Sequence, residues 1–284
     1  MSAEDLSGTV VLVGGGQMGG ALMGGWLARG LAAEDLHVVE PDPGRRAELA
    51  RKGAVRLHAA ASEVPAELVP DALVLAVKPQ VMPQVLGECT ALAARARLIL
   101  SVAAGVPLAA YERAFGARRP IVRAMPNTPA AVGRGTSVLV ANEAVDGDGR
   151  RRAEALLQAV GTVHWLDRED LLHAVTALSG SGPAYVFLLV EAMGAAGTRL
   201  GLPAGLAMRL ARETVSGAGA LLAESEAEPA ALRRAVTSPG GTTEAALSVL
   251  MGTGGLLELI ARAMAAAERR SRELGAIQAG EPKR

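Results

Sequence analysis

The stretch Thr9–Gly19, TVVLVGGGQMG, decides the fold because it joins a strand, a glycine turn and the start of a helix. Its first five residues are an uninterrupted apolar run rich in β-branched side chains, typical of a buried parallel strand. In the turn, Gly14 permits a tight bend, Gly16 lets the backbone approach a pyrophosphate, and Gly19 lets the helix pack on the strand. The stretch predicts a nucleotide site at the start of a βαβ unit.

Further apolar runs continue this pattern through the first half of the chain. Helical spacing from 18 to 29 and from 45 to 53 separates the earliest of them, and Glu40 ends the second run. Alternating strands and helices predict an α/β fold with a doubly wound, mostly parallel sheet. The predicted strands are 9–13, 37–40, 72–77, 98–102, 121–125 and 136–140.

The texture of the chain changes near Asp167, where Ala and Leu begin to dominate and helical patterns run through 171–222 and 243–274. We therefore expect a dinucleotide-binding domain over 1–166, an all-helical domain over 167–276 and a polar tail over 277–284. Small residues would let these helices approach closely, either within one chain or across the interface of a homodimer or higher homo-oligomer.

A second glycine-rich turn, Ser238–Thr243 (SPGGTT), precedes a helix predicted to begin at Glu244. Backbone N–H groups at a helix N-terminus, together with the helix dipole, bind an anion without a basic side chain. The SPGGTT turn therefore predicts a site for a small carboxylate. The alternative role of Thr243 is to cap the helix.

Other small or polar motifs follow the predicted strands, at the edge where ligands of such sheets bind. The segment Ala76–Pro79 carries Lys78, which is either a ligand contact or a solvated loop lysine. The small residues from Val102 to Gly105 would let a nicotinamide approach the backbone. Asn127 either bonds a carboxamide or caps a turn.

The residues at the end of the second strand leave the choice between NADPH and NADH open. A carboxylate at Glu40 would bond the adenosine ribose and disfavour a 2′-phosphate. Arg45 and Arg46 would instead pair with that phosphate, or form a solvated helix face.

Composition excludes several classes of function. The formal net charge is zero and only 2% of the 284 residues are aromatic, so neither a nucleic-acid surface nor a membrane-binding surface is indicated. No uncharged apolar run approaches the roughly 20 residues of a membrane span. The single cysteine, Cys89, and an acidic start unlike a signal peptide predict a cytoplasmic protein. The four histidines lack metal-ligand spacing, so no metal is expected.

Taken in order, the motifs resemble those of pyrroline-5-carboxylate reductases. The resemblance implies a Rossmann domain, a helical dimerisation domain, and reduction of 1-pyrroline-5-carboxylate to L-proline by NADPH or NADH. It covers nearly the whole chain and rests on VGGGQMG (13–19), AVKP (76–79), VAAG (102–105), MPNTP (125–129), LSGSGPAY (178–185) and TSPGGTT (237–243).

The resemblance also implies roles for individual residues, with Thr243 contacting the ring nitrogen of the substrate. Two departures concern the adenosine contacts: Glu40 is acidic where NADPH-preferring relatives often carry a hydroxyl, and no asparagine lies between His58 and Glu63. The implied substrate residues are Glu226, Ser238, Gly240, Gly241, Thr242 and Thr243. The implied cofactor residues are Val13, Gly14, Gly15, Gly16, Gln17, Met18, Gly19, Glu40, Ala76, Val77, Lys78, Pro79, Val102, Ala103, Ala104 and Asn127.

Two other functions fit the same outline less well. A dehydrogenase of the β-hydroxyacid type uses a lysine on the first helix of its second domain, but no lysine lies between Lys78 and Lys283. A non-catalytic dinucleotide-sensing protein would need a DNA- or partner-binding element, and no basic recognition helix or added domain is evident.

No histidine or carboxylate is placed as an obligatory acid, which suits an imine substrate.

Overall fold

The computed structural model describes residues 6–53 and 55–279, which form two compact units. The first unit comprises the described residues up to Gly180 together with those from Ala267 onward, and the second unit comprises Ser181–Ala266. Of the expected polar tail, residues 277–279 end the last helix and the rest lie outside the described residues. The domain boundary expected near Asp167 stays a prediction from composition.

An eight-stranded sheet organises the first unit, in the order β3-β2-β1-β4-β5-β6-β7-β8. Val10 of β1 pairs with Leu36 on one side and with Ala72 on the other, so successive crossovers lead away from β1 in both directions. All neighbouring strands are parallel except β6 and β7. The predicted doubly wound, mostly parallel sheet is confirmed. The strands are β1 (Val10–Val13), β2 (Leu36–Val39), β3 (Arg56–His58), β4 (Ala72–Leu75), β5 (Ile99–Ser101), β6 (Ile121–Met125), β7 (Gly135–Ala141) and β8 (Gly161–Trp165).

The six strands predicted from the sequence all form, but β3 and β8 were missed. Both are edge strands with partly exposed side chains, so neither carries the continuous apolar run of a buried parallel strand. Consequently the run predicted as the third strand is the fourth, β4.

Helices cover both faces of this sheet. Asp42 caps α2 by accepting a hydrogen bond from Arg45 N, so α2 begins at Pro43 rather than at the predicted Arg45. Helix α1 ends at the C-cap Arg29, and the next residue, Gly30, has φ +93°, as is common just after a helix C-terminus. The helices of the first unit are α1 (Gln17–Ala28), α2 (Pro43–Ala50), α3 (Met82–Glu88), α4 (Thr90–Arg95), α5 (Leu108–Phe115), α6 (Gly147–Gln158) and α7 (Leu172–Val175).

Two apolar layers, one on each face of the sheet, hold these helices. Trp26 of α1 is fully buried in one layer and donates its indole N–H to Leu156 O at 2.7 Å. Tyr111 of α5 is fully buried in the other layer. With both faces covered, only the strand ends are left for ligands, and the carboxyl ends of β1 and β4 border the point where the strand order reverses.

The second unit consists of helices. Its closest packing joins α8 and α9, where a Cβ on Gly194 would lie 2.8 Å from Met208 Cε and one on Gly197 would lie 3.2 Å from Ala207 Cβ. Its helices are α8 (Gly182–Arg199), α9 (Ala204–Glu224), α10 (Pro229–Ala235), α11 (Thr242–Leu250) and the start of α12 (Leu256–Ala279).

One helical run, Glu169–Arg199, is long and apolar enough by length and composition to cross a membrane, which differs from the expectation that no run approaches that length. The sequence looks interrupted at Ser179–Pro183, yet a π-helical turn at Thr176–Gly180 and the start of α8 at Gly182 keep the backbone helical. One such helix is weak support for a span, because the core helix of a soluble protein can have the same length and composition.

Candidate cofactor and substrate sites

The glycine turn after β1 is shaped by close backbone contacts. Gly14 has φ +99°, and a Cβ there would lie 2.8 Å from both Ala76 O and Val77 Cγ1. A Cβ on Gly19 would collide with the carbonyl oxygen of Gly14. Larger residues are therefore excluded at Gly14 and Gly19, and the turn lies directly against the segment after β4.

Gly16 differs from its neighbours, because a Cβ built on it would meet no protein atom within 4 Å. Gly16 is also the N-cap of α1 and makes no side-chain cap bond, which leaves the first N–H groups of the helix available. Beside it lies a cavity of about 530 Å³. This arrangement fits the pyrophosphate of a dinucleotide at the helix N-terminus. The cavity is lined by Gly15, Gly16, Gln17, Met18, Arg45, Lys52 and Thr128, among others.

Glu40 is buried at the end of β2 and its carboxylate is held by backbone N–H groups. Oε2 accepts a hydrogen bond from Gly15 N at 2.8 Å and Oε1 accepts one from Asp42 N at 3.1 Å. Arg46 donates from Nη1 to the carbonyl oxygens of Glu40 and Pro41, at 2.6 and 2.7 Å. No ion pair to Glu40 occurs among the described residues. Each carboxylate oxygen keeps a lone pair that can accept a ribose hydroxyl.

The predicted cofactor segments after β4 and β5 lie along the same edge of the sheet. Ala76 N donates to Val13 O at 2.8 Å and Val102 N donates to Leu75 O at 3.0 Å, so both segments start in register with the neighbouring strand. Lys78 is exposed and precedes a 3₁₀ turn at Pro79–Val81. Their contacts with a cofactor stay predictions.

A buried polar group beneath this edge was not predicted from the sequence. Arg123 is 4% exposed on β6, and its Nη1 lies 2.7 Å from Glu169 Oε1. Ser101 Oγ lies 2.5 Å from Tyr111 Oη. Burial raises the pKa of Tyr111 to about 12, so the phenol keeps its proton. The signal that could have been used is an arginine inside an apolar strand, which needs a buried partner.

Asn127 links two segments after β6. Its Oδ1 accepts a hydrogen bond from Thr136 N at 2.8 Å, and its Nδ2 donates to Ser179 O at 3.1 Å. It occupies the N-cap position of the 3₁₀ turn at Thr128–Val132, but its side chain makes no cap bond to that turn. One amide hydrogen remains for a carboxamide, the other predicted role.

The SPGGTT turn in the second unit opens a helix earlier than predicted. Helix α11 begins at Thr242 rather than at Glu244, and its N-cap is Gly241, which has no side chain with which to cap. Thr243 therefore stands inside the first turn of α11, and the alternative that it caps the helix is wrong. Thr243 is half-buried, and its hydroxyl makes no hydrogen bond to the part of the chain that the structure describes.

Two of the turn's N–H groups are already engaged. Gly241 N donates to Ser238 O at 3.0 Å, and Gly240 N donates to Glu244 Oε2 at 2.7 Å. The N–H groups of Thr242 and Thr243 have no acceptor among the described residues, as expected at a helix start. A bound carboxylate would therefore meet Thr242 and Thr243 rather than Gly240. Glu226 is exposed between α9 and α10.

Three of the four histidines make hydrogen-bond contacts with other side chains. His37 Nδ1 lies 3.0 Å from His58 Nε2, and burial is the main cause that lowers the pKa of both rings. Burial, followed by Arg123, lowers the pKa of His173, whose Nδ1 lies 2.9 Å from Ser271 Oγ.

Burial raises the pKa of Cys89 to about 12, as expected for an inert thiol. Across residues 6–53 and 55–279, no group of three or more potential ligands is arranged to hold a metal ion.

Comparisons with known proteins identify a domain family for each end of the chain and one family over nearly its whole length. Residues 9–105 match the family model described as NADP oxidoreductase coenzyme F420-dependent, and residues 169–274 match pyrroline-5-carboxylate reductase dimerisation. The pyrroline-5-carboxylate reductase of Pseudomonas aeruginosa is 44% identical over 268 residues, covering 93% of this chain and 96% of its own.

Solved structures give the same result. A pyrroline-5-carboxylate reductase from Coxiella burnetii is similar with a TM-score of 0.88 and 38% identity, covering 94% of this chain and 98% of its own. The pyrroline carboxylate reductase of Plasmodium falciparum, solved with NADP bound, has a TM-score of 0.80 and 28% identity over 94% of this chain and 98% of its own. The chain belongs to the pyrroline-5-carboxylate reductase family.

Proposed function

We propose that this protein reduces 1-pyrroline-5-carboxylate to L-proline with NADPH or NADH, the last step of proline biosynthesis. The observation that carries the proposal is the SPGGTT turn, which offers unpaired N–H groups and the Thr243 hydroxyl at the start of α11. The substrate is a cyclic imine with one carboxylate. The N–H groups of the turn can bind the carboxylate, and the hydroxyl can bond the ring nitrogen. Family membership supports the same reaction.

The first unit fits a dinucleotide because Gly14 and Gly19 leave no room for a side chain, whereas Gly16 faces open space at the start of α1. The first N–H groups of α1 would hold the pyrophosphate, and Glu40 would accept from the adenosine ribose. The segments Ala76–Pro79 and Val102–Ala104 would line the nicotinamide end. The cofactor supplies the hydride that is added to the imine carbon.

In the second unit, the N–H groups of Thr242 and Thr243 would bind the substrate carboxylate. The Thr243 hydroxyl would orient the ring nitrogen, and fixing both ends of a small ring limits the orientations in which it can react. An imine protonates more readily than a carbonyl does, so the ring nitrogen can arrive already protonated. The chain then needs no obligatory acid side chain, and none is proposed.

Both cofactors are proposed, NADPH from the resemblance and NADH from the environment of Glu40. Its carboxylate is held by Gly15 N and Asp42 N and has no cationic partner among the described residues, so a 2′-phosphate there would meet an uncompensated negative charge. Arg46 Nη1 is bonded to backbone carbonyl oxygens. Arg45 is exposed and could approach the phosphate.

We further propose that the protein works in the cytoplasm as a homodimer or higher homo-oligomer, joined through its second unit. The proposal includes no nucleic-acid, membrane or metal partner. It is supported by the dimerisation family matched over residues 169–274 and by the zero net charge.

A turnover assay with 1-pyrroline-5-carboxylate and each cofactor tests this function. We expect cofactor oxidation to match the L-proline formed, as measured by chromatography. A β-hydroxyacid with NAD⁺ or NADP⁺ serves as the rival substrate. Cofactor binding without turnover of either substrate would favour a dinucleotide sensor, and faster turnover of the hydroxyacid would favour the dehydrogenase alternative.

A further inference from the structure

The backbone turn after β5, Val102–Gly105, is bonded to a hydroxyl that the proposed reaction does not use. Ser101, the last residue of β5, is fully buried, and its Oγ accepts a hydrogen bond from Ala103 N at 3.3 Å. The same oxygen lies 2.5 Å from the phenolic oxygen of Tyr111, which is also fully buried. One pair of hydroxyls therefore connects helix α5 to the backbone of this turn.

Helix α5 is held at its start by a residue far along the chain. Its N-cap, Pro107, makes no side-chain cap bond, but Leu108 N donates to Glu169 Oε1 at 2.7 Å. That oxygen also accepts a bond from Arg123 Nη1 at 2.7 Å, and Arg123 pairs in register with Ser101 across β5 and β6. Tyr111 therefore projects from a helix whose first turn is fixed to the sheet that carries Ser101.

Packing alone does not require the phenolic hydroxyl. Tyr111 belongs to the apolar layer of the sheet, where a phenylalanine would bury the same ring. A hydroxyl buried there is costly unless it is bonded, so the Ser101–Tyr111 pair favours the one geometry in which both are satisfied. That geometry includes the position of Ala103 N.

We propose that Tyr111, acting through the Ser101 hydroxyl, is a positioning residue for the nicotinamide half of the cofactor. It fixes the backbone of Val102–Ala104, the segment that would line the nicotinamide end. This inference rests on the proposed function and adds to it a residue on α5. The adenosine half, at Glu40 and Gly15, lies at another strand end and does not depend on Tyr111.

The test compares a ligand that has the nicotinamide with one that lacks it. In Tyr111→Phe, we expect the Kd of NADH by titration calorimetry to rise roughly 3- to 10-fold, the range for one lost hydrogen bond. The Kd of ADP-ribose should not change. The kcat/KM for NADH should fall by a similar factor, while the KM for 1-pyrroline-5-carboxylate stays constant.

Two further variants identify the route. Ser101→Ala should reproduce the effect, and adding Tyr111→Phe to it should cause little further loss, because both changes break the same contact. Ser137→Ala is the matched control, since Ser137 is 2% exposed on β7, which is separated from β5 by β6. It should leave both Kd values unchanged. If Tyr111→Phe does not fold, the same comparison of the Kd values of NADH and ADP-ribose is made with Ser101→Ala.

Equal losses for NADH and ADP-ribose, or no loss for either, would overturn the proposal and leave Tyr111 a purely structural residue. Additive losses in the double variant would exclude the route through Ser101. If the wild-type protein does not turn over 1-pyrroline-5-carboxylate, the proposed function fails, yet the NADH and ADP-ribose titrations still decide the role of Tyr111.

Discussion

The two units of the chain differ in how much apolar surface each one buries. The first unit covers both faces of its sheet and contains nearly all the buried side chains. Among residues 181–266, only Gly194, Ala207 and Ala211 are buried. Their larger apolar neighbours stay exposed, for example Phe187 at 61% and Leu257 at 70%.

This difference shows why the same chain needs two kinds of stabilisation. The first unit has cores of its own, whereas helices with exposed apolar faces need a further surface to cover them. The dimerisation family matched over residues 169–274 indicates that a second copy supplies that surface. We therefore expect substitutions in the buried core of the first unit to act on folding and those at exposed apolar positions on the helices of the second unit to act on assembly.

The largest effect is expected from Trp26→Ala in the first unit. Trp26 is fully buried and its indole N–H is bonded to Leu156 O, so the change should lower the free energy of unfolding by about 3–5 kcal/mol. Denaturant unfolding followed by circular dichroism measures it. A loss below about 1 kcal/mol would contradict the view that this unit depends on its own core.

The matching experiment in the second unit is Phe187→Asp. A charge on a face that a second copy covers would be buried without a partner, so the protein should dissociate into smaller species in light scattering. Val69→Asp is the control, because Val69 is similarly exposed, at 51%, but lies in the first unit. An unchanged mass for Phe187→Asp would remove this helix face from the interface.

Thr243→Val tests the site of the second unit. It deletes the hydroxyl proposed to bond the ring nitrogen, and we expect a loss of about 1–3 kcal/mol, or roughly 10- to 100-fold in kcat/KM for the imine. Cofactor affinity should barely change. Ser248→Ala on the same helix is the control, because the Ser248 hydroxyl donates to Ala245 O at 2.7 Å. Wild-type kcat/KM in Thr243→Val would sink the proposed role.

Glu40→Ser tests the corresponding site of the first unit, with a smaller effect. If Glu40 contacts the ribose, removing its carboxylate should raise the NADPH/NADH ratio of kcat/KM several-fold, roughly 1 kcal/mol, because a 2′-phosphate no longer meets a negative charge. The KM for the imine should stay constant. An unchanged cofactor ratio would remove Glu40 from the adenosine site.

The smallest expected effect is a loss of stability at acidic pH. All four histidines precede Gly180, and burial lowers the pKa of His37, His58 and His173. In the unfolded chain these histidines have the ordinary pKa of about 6.5, so the unfolded chain binds protons more readily than the folded protein does. The free energy of unfolding is therefore highest above that pH and declines as the pH falls below it. Tm measured from pH 8 to 5 should decline below that value. His37→Gln should reduce the decline, and an unaltered profile would exclude the His37–His58 pair as its source.

Local sequence was enough to predict β1, the glycine turn and α1, because a continuous apolar run and three glycines constrain that backbone without help from distant residues. The SPGGTT turn was predicted for the same reason, and the motif order was enough to indicate the family. The sequence also predicted the doubly wound sheet, since alternating strands and helices leave few other arrangements.

Tertiary structure decided what depends on contacts far apart in the chain. The edge strands β3 and β8 carry no continuous apolar run, and their neighbours in the sheet supply the partners that make them strands. Glu169 meets Leu108 and Arg123 only after folding. Hydrogen-bond partners fixed by three-dimensional proximity leave no periodic signal in the sequence, and this is why folding alone determines them.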